Sequence, residues 1–170
     1  AATTVTTLTN AGKINNNYSL NVTNSFNNTS NGEISGRNGT LDIRNGGTND
    51  GTISQKDVKI AGDFANNNSL TATTNFENTG TITGNNGNLT VKDGSSTGSI
   101  TQNNVSVNGT FTNSNSITAV TKLLNGGEFT NDATGSITAA TIENSVGKTF
   151  TNDGAAAAAV TNRGRFNNNG

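Results

Sequence analysis

The chain has 170 residues, of which 33 are Asn, 30 Thr and 21 Gly; its formal net charge is −1, and it has no Cys, His, Pro, Met or Trp. Without Cys there is no disulfide framework or thiolate metal site, and without His or Cys there is no Ser- or Cys-based triad. The balanced charge leaves no basic patch for nucleic acid or anionic lipid, and no apolar run approaches the roughly 20 residues that span a bilayer.

Hydrophobic residues make up 29% and charged residues 12%. That is not the composition of a disordered chain, which is usually rich in charge or Pro. Thr, Val, Ile and Phe favour strands, while Asn and Gly favour tight turns. Many short strands joined by many turns are expected.

One motif recurs along the chain: an apolar anchor, Asn two places later, Gly or Asn two places further, then Ile or Leu. It opens at Leu8-Thr9-Asn10-Ala11-Gly12-Lys13-Ile14. The stretch from Phe26 to Ile34 carries it with two extra residues, and Gly47-Thr48-Asn49-Asp50-Gly51-Thr52-Ile53 keeps the spacing without the aromatic. Phe64 to Leu70, Phe76 to Ile82 and Phe111 to Ile117 are full copies. Phe129 to Ile137 is again longer, and Phe150-Thr151-Asn152 and Phe166-Asn167-Asn168 begin the motif near the C-terminus. Between copies the apolar residues alternate, as at Leu20 and Val22, Leu41 and Ile43, Val58 and Ile60, Leu89 and Val91, and Val105 and Val107. Period two marks strands with one buried face.

With Gly47 and Ser96 as degenerate anchors, the anchors are 12 to 21 residues apart, about 17.6 on average. One such unit cannot bury its apolar side chains alone. Wound as one turn of a coil, it stacks like strands about 4.8 Å apart in parallel ladders, and each inward position is shared along the stack. The sequence therefore predicts an all-β parallel β-solenoid over residues 1–170, one continuous repeat region of nine to ten coils. The variable coil length points to a right-handed β-helix rather than a left-handed one.

The expected core column holds Leu8, Phe26, Phe64, Phe76, Phe111, Phe129, Phe150 and Phe166. The expected Asn ladder holds Asn10, Asn28, Asn49, Asn66, Asn78, Asn113, Asn131, Asn152 and Asn168. All seven Phe have Asn two places later. Stacked amides can bond coil to coil, which satisfies polar groups whose burial unpaired costs about 1–3 kcal/mol. The 12-residue step from Phe64 to Phe76 requires that coil to shorten or skip a face. Ala155 to Ala159 is a run of Ala where the pattern calls for an Ile.

At Asn78-Thr79-Gly80-Thr81-Ile82 and Ala11-Gly12-Lys13-Ile14 the chain resembles the repeat region of filamentous-haemagglutinin-type exoproteins, large surface adhesins, and the passengers of autotransporters. The resemblance runs along almost the whole chain and concerns repeat style. It implies a β-helix in a secreted or cell-surface, extracellular protein. The Asn-Pro-containing signature of that family's secretion domain is missing, as is Arg-Gly-Asp, so no binding residue carries over.

Other sites are weaker. Asp42 with Arg44, Asp50, Asp57 and Asp93 are the carboxylates a β-helix polysaccharide-active enzyme would need, but their spacing follows no regular column. Gly46-Gly47-Thr48-Asn49-Asp50 has the look of a single calcium-binding nonapeptide, a site that needs adjacent copies. Asn17, Asn21, Asn38, Asn88 and Asn108 begin Asn-x-Ser/Thr sequons. Thr71 and Thr73, Thr81 and Thr83, and Thr110 and Thr112 are Thr-x-Thr pairs at differing coil positions, against an ice-binding face. No catalytic, cofactor or metal site is expected. Both termini fall inside the repeat without a polar cap, which predicts a segment of a longer fibre or a protomer stacking end to end on itself. The expected role is structural, a rod or filament that is not an enzyme, with glycan or cell-surface adhesion as the alternative.

Overall fold

The computed structural model describes residues 1–170 as an all-β parallel solenoid of about nine coils, with strands and turns and no helix. Each coil has three short faces, and every ladder between coils is parallel. The alternating pattern explains the faces: one inward apolar side chain flanked by two outward polar ones, as in Ser99-Ile100-Thr101, before the chain turns a corner. At about 4.8 Å per coil the rod is roughly 40 Å long.

Three inward columns run along the rod. The first face stacks Leu8, Phe26, Gly47, Phe64, Ile82, Ile100, Ile117, Ile137 and Ala156. The second stacks Ile14, Ile34, Ile53, Leu70, Leu89, Val105, Leu123, Ile142 and Val160. The third stacks Leu20, Leu41, Val58, Phe76, Gly94, Phe111, Phe129, Phe150 and Phe166. Twenty of these residues, with the apolar corner residues Val22, Ile43, Ile60, Ala72, Val91, Val107, Ala119 and Ala139, form one continuous core of 28 buried apolar side chains, against which Leu8, Ile14 and Phe166 pack partly buried.

The single expected core column is therefore corrected to two. Leu8, Phe26 and Phe64 lie on the first face, and Phe76, Phe111, Phe129, Phe150 and Phe166 on the third. No coil shortens at the 12-residue step. Phe64, Leu70 and Phe76 occupy three successive faces of the winding, and the true neighbour of Phe64 is Ile82, 18 residues on. Ser96 is not an anchor either: Gly94 takes the inward position between Phe76 and Phe111. Ala156 stacks on Ile137, so the Ala run takes its place in the first column.

A longer repeat causes the shift. Ile34-Ser35-Gly36-Arg37-Asn38-Gly39-Thr40-Leu41 returns as Ile82-Thr83-Gly84-Asn85-Asn86-Gly87-Asn88-Leu89, and Phe64-Ala65-Asn66-Asn67-Asn68-Ser69-Leu70 as Phe111-Thr112-Asn113-Ser114-Asn115-Ser116-Ile117. This repeat fills eight faces, whereas a coil has three. Each copy is therefore displaced by one face: Ile34 is on the second face and Ile82 on the first, Phe64 on the first and Phe111 on the third.

Candidate functional site: amide corners and lateral surface

Two residues after each inward anchor the chain reaches a corner, and there the amides stack. At the first corner the Asn10 Nδ2 donates to Asn28 Oδ1 (2.8 Å), Asn28 to Asn49 (2.7 Å) and Asn49 to Asn66 (2.7 Å). The next coil places Gly84 at this corner. Gln102, one coil further, reaches past it: its Oε1 accepts from Asn66 Nδ2 at 2.5 Å, and its Nε2 donates to the carbonyls of Gly84 (3.3 Å) and Asn66 (3.3 Å). A Cβ at Gly84 would lie 1.9 Å from the Asn66 carbonyl oxygen, so only Gly leaves room for the bridge. The second corner repeats the device, with Asn16 Nδ2 donating past Gly36 to Gln55 Oε1 at 2.7 Å.

Further along, the second corner carries Asn125, Asn144 and Asn162, joined at 2.8 and 2.7 Å. The third carries Asn78, whose Nδ2 donates to Ser96 Oγ (3.0 Å), and then Asn113, Asn131, Asn152 and Asn168, each step 2.7 Å. Within these corner ladders every amide-to-amide bond runs from an N-terminal coil to a C-terminal one. The same amides also donate to turn carbonyls, as Asn131 does to Gly135 (3.1 Å). No buried side-chain N or O lacks a partner.

The Asn ladder thus exists, but as separate ladders on different corners. Asn10, Asn28, Asn49 and Asn66 belong to the first corner; Asn78, Asn113, Asn131, Asn152 and Asn168 belong to the third. Sequence reasoning missed Asn16, Gln55, Gln102, Asn125, Asn144 and Asn162. An alternation search that admitted any apolar residue as the anchor, such as Leu123 before Asn125, would have found the four Asn but not the two Gln.

The carboxylates sit outside, mostly on the third face. Asp42, Lys59 and Glu77 are successive in one row, and Asp57, Asn75 and Asp93 in the other. Asp57 and Asp93 therefore share a row after all. Each has its own surface cation: Asp42 with Arg44 (3.0 Å), Asp57 with Lys56 (3.2 Å), Asp93 with Lys92 (3.6 Å) and Glu77 with Lys59 (2.8 Å). The hydrogen bond to Glu77, and then its charge, raise the Lys59 pKa above the ordinary lysine value. Asp50 is exposed and accepts from Asn67 Nδ2 at 2.8 Å. No three acidic side chains converge as metal ligands there or elsewhere.

Asn17, Asn38, Asn88 and Asn108 are exposed and Asn21 is half-buried. Thr71 lies on the second face, Thr81 and Thr83 on the first, and Thr110 and Thr112 on the third, with Thr73 just past the second corner. The structure nevertheless assembles a hydroxyl array from other residues. Thr81, Ser99, Ser116 and Ser136 form one row of the first face, and Thr83, Thr101, Thr118 and Thr138 the other. An open groove of about 990 Å³ follows the second face, walled by the corner loop at Gly36, Arg37 and Asn38 and floored by Asn15, Ser35 and Ser54, with no hydrophobic residue in its lining.

No protein-family model, no curated protein and no solved structure matches the chain.

Proposed function

We propose that this chain is a structural segment of an extracellular or cell-surface fibre, a rod that spaces and bears load. The observation that carries the reading is the continuity of the interior. Three apolar columns and the amide ladders give neighbouring coils a shared core over the whole length, as a rod element requires. Asp42, Asp57 and Asp93 lie along the third face and each pairs with its own surface cation, which gives no acid–base pair across a cleft. The extracellular setting rests on the resemblance of the Asn78-Thr79-Gly80-Thr81-Ile82 repeat style to exported surface adhesins. Electron microscopy of the native material tests this: unbranched fibres about as wide as one solenoid are expected, and globular particles would overturn it.

A second reading, an adhesive module for glycan, draws on the groove beside Arg37. Its Asn, Ser and Arg side chains could hydrogen-bond sugar hydroxyls. A glycan-array screen of the chain and of Arg37→Ala tests it; binding that depends on Arg37 would favour adhesion over a purely mechanical role.

A further inference from the structure

We propose that the first face carries an ice-binding surface, a two-row lattice of Ser and Thr hydroxyls that spans the four coils between Thr81 and Thr138.

The lattice follows from the register. Thr81, Ser99, Ser116 and Ser136 make one outward row, and Thr83, Thr101, Thr118 and Thr138 the other. Like positions on neighbouring coils are about 4.8 Å apart, and outward positions two residues apart on one strand are about 6.8 Å apart. Both distances lie close to the spacings of water oxygens along and across the prism face of hexagonal ice. The floor is level, because the inward residue between the rows is Ile in every one of these coils: Ile82, Ile100, Ile117 and Ile137, all buried. Asp63 and Ala65 bound the lattice on one side, and Ala155 and Ala157 on the other.

The rows also leave their polar atoms free. Hydroxyls beside them have protein partners: Ser114 donates to Asp132, Thr121 to Asn103 and Thr134 to the Ser114 carbonyl. The hydroxyls in the rows bond to no protein group; Thr83 and Thr138 are exposed and the rest half-buried. Each therefore keeps its donor and its acceptor positions for water. Each Thr adds a methyl group, around which first-shell water has restricted orientations. No charged residue interrupts either row. The third face is the contrast within the same molecule. Its rows run Thr110, Glu128, Thr149, Arg165 and Thr112, Thr130, Thr151, Asn167, so a carboxylate and a guanidinium break the first of them.

A protein partner fits this surface poorly. Three steps of about 4.8 Å by one of about 6.8 Å enclose on the order of 100 Å². A standard protein interface buries roughly 800 Å² per partner. The rows hold no large apolar side chain to anchor such a partner. Ice already has its waters in place, so contacts in register form without the cost of ordering a flexible partner.

Ice growth in the presence of the full chain tests this. The wild-type chain is expected to facet single ice crystals and to keep grains small in a frozen sucrose solution. Thr101→Lys/Thr118→Lys sets two strongly hydrated ammonium groups in the middle of the lattice and is expected to raise the concentration needed about tenfold or more. Thr112→Lys/Thr130→Lys, the same change on the third face, is expected to leave it unmoved. Circular dichroism checks folding, and Thr101→Tyr/Thr118→Tyr, which favours strands, replaces the first-face Lys pair if that variant unfolds. Ice crystals unshaped by the wild-type chain, or equal losses from the first-face and third-face variants, would overturn the proposal. So would retention on microcrystalline cellulose that the first-face variants abolish while ice growth is unaffected, since the lattice would then serve a solid polysaccharide. None of these outcomes touches the fibre reading, which electron microscopy decides separately.

Discussion

Gln102→Asn tests the idea that a long amide spans a missing rung. The wild-type side chain is fully buried and connects Asn66 to the coil two turns on, across Gly84. Asn is shorter by one methylene, about 1.5 Å, which breaks the 2.5 Å contact with Asn66 Nδ2. The missing methylene costs about 0.8 kcal/mol of burial, and the stranded amide about 1–3 kcal/mol. Together the loss should be about 2–4 kcal/mol. Urea unfolding followed by circular dichroism reads it as a lower midpoint. A linear stack need not unfold in one step, so hydrogen exchange at residues 82–102 should locate the weakening. Gln55→Asn breaks the matching bridge to Asn16, which lies on an outer coil and is 9% exposed, and should cost less. A change within about 0.5 kcal/mol for Gln102→Asn, the scale of ordinary surface substitutions, would refute the bridge as a stabilising element.

Gly84→Ala should destabilise by about 1–3 kcal/mol, because Gly84 has φ of 140° and its Cβ would strike the Asn66 carbonyl. Gly12→Ala, with open space around the Cβ, should be near neutral in the same urea assay. Phe129 stacks between Phe111 and Phe150 at 5.7 and 4.9 Å, so Phe129→Ala should cost about 3–5 kcal/mol and lower the melting temperature clearly. The pH dependence should be small and confined to the extremes. Hydrogen bonds from Ser114 and Thr134 lower the Asp132 pKa below its ordinary 3.8, so its stabilisation is present above that value and is lost as pH falls through the folded value. Lys59 has a raised pKa, so its stabilisation is present below 10.5 and is lost as pH rises through the folded value. With no His, melting temperatures should be flat between about pH 5 and 9, and a steep transition inside that window would contradict this.

The parallel solenoid was legible because inward positions must alternate and must recur once per coil, and Leu89 and Val91 or Val105 and Val107 show both. The phase was not legible. Aligning every Phe assumed that aromatic identity marks one face, whereas the sequence repeat of eight faces and the coil of three are incommensurate. Phe64 and Phe76 look like successive copies of one motif yet lie two faces apart in the same winding. Ser96 looks like a failed anchor and is a rung, because its hydroxyl accepts from Asn78 as an amide oxygen would. The Gln bridges were invisible for a different reason. Gln55 and Gln102 gain meaning only when Gly36 and Gly84 are known to sit above them at the same corners, a relation between residues one coil apart.

The drifting repeat has an energetic consequence that can be measured. The apolar corner is the third at Val22, Ile43 and Ile60, the second at Ala72, Val91 and Val107, and the first at Ala119, Ala139 and Ala158. Most coils keep one such corner and two carrying amides, and it moves around the rod every three coils. Nearly every buried amide has a polar rung on a coil beside it, an amide or, for Asn78, the Ser96 hydroxyl, so the position of a substitution within its corner should matter more than its chemistry. Val91 lies between Ala72 and Val107, and an Asn there would find no rung on either side. Val107 lies directly above Asn125, whose Oδ1 accepts only from the Gly127 N–H at 3.1 Å, so an Asn there could donate to it and extend the ladder by one coil. Both side chains are fully buried, and both substitutions lose the same apolar surface. Val91→Asn should therefore be less stable than Val107→Asn by about 1–3 kcal/mol, the cost of an unpartnered buried amide. Urea midpoints of the two variants decide it, and equal midpoints would mean that the amides owe their stability to turn carbonyls rather than to one another.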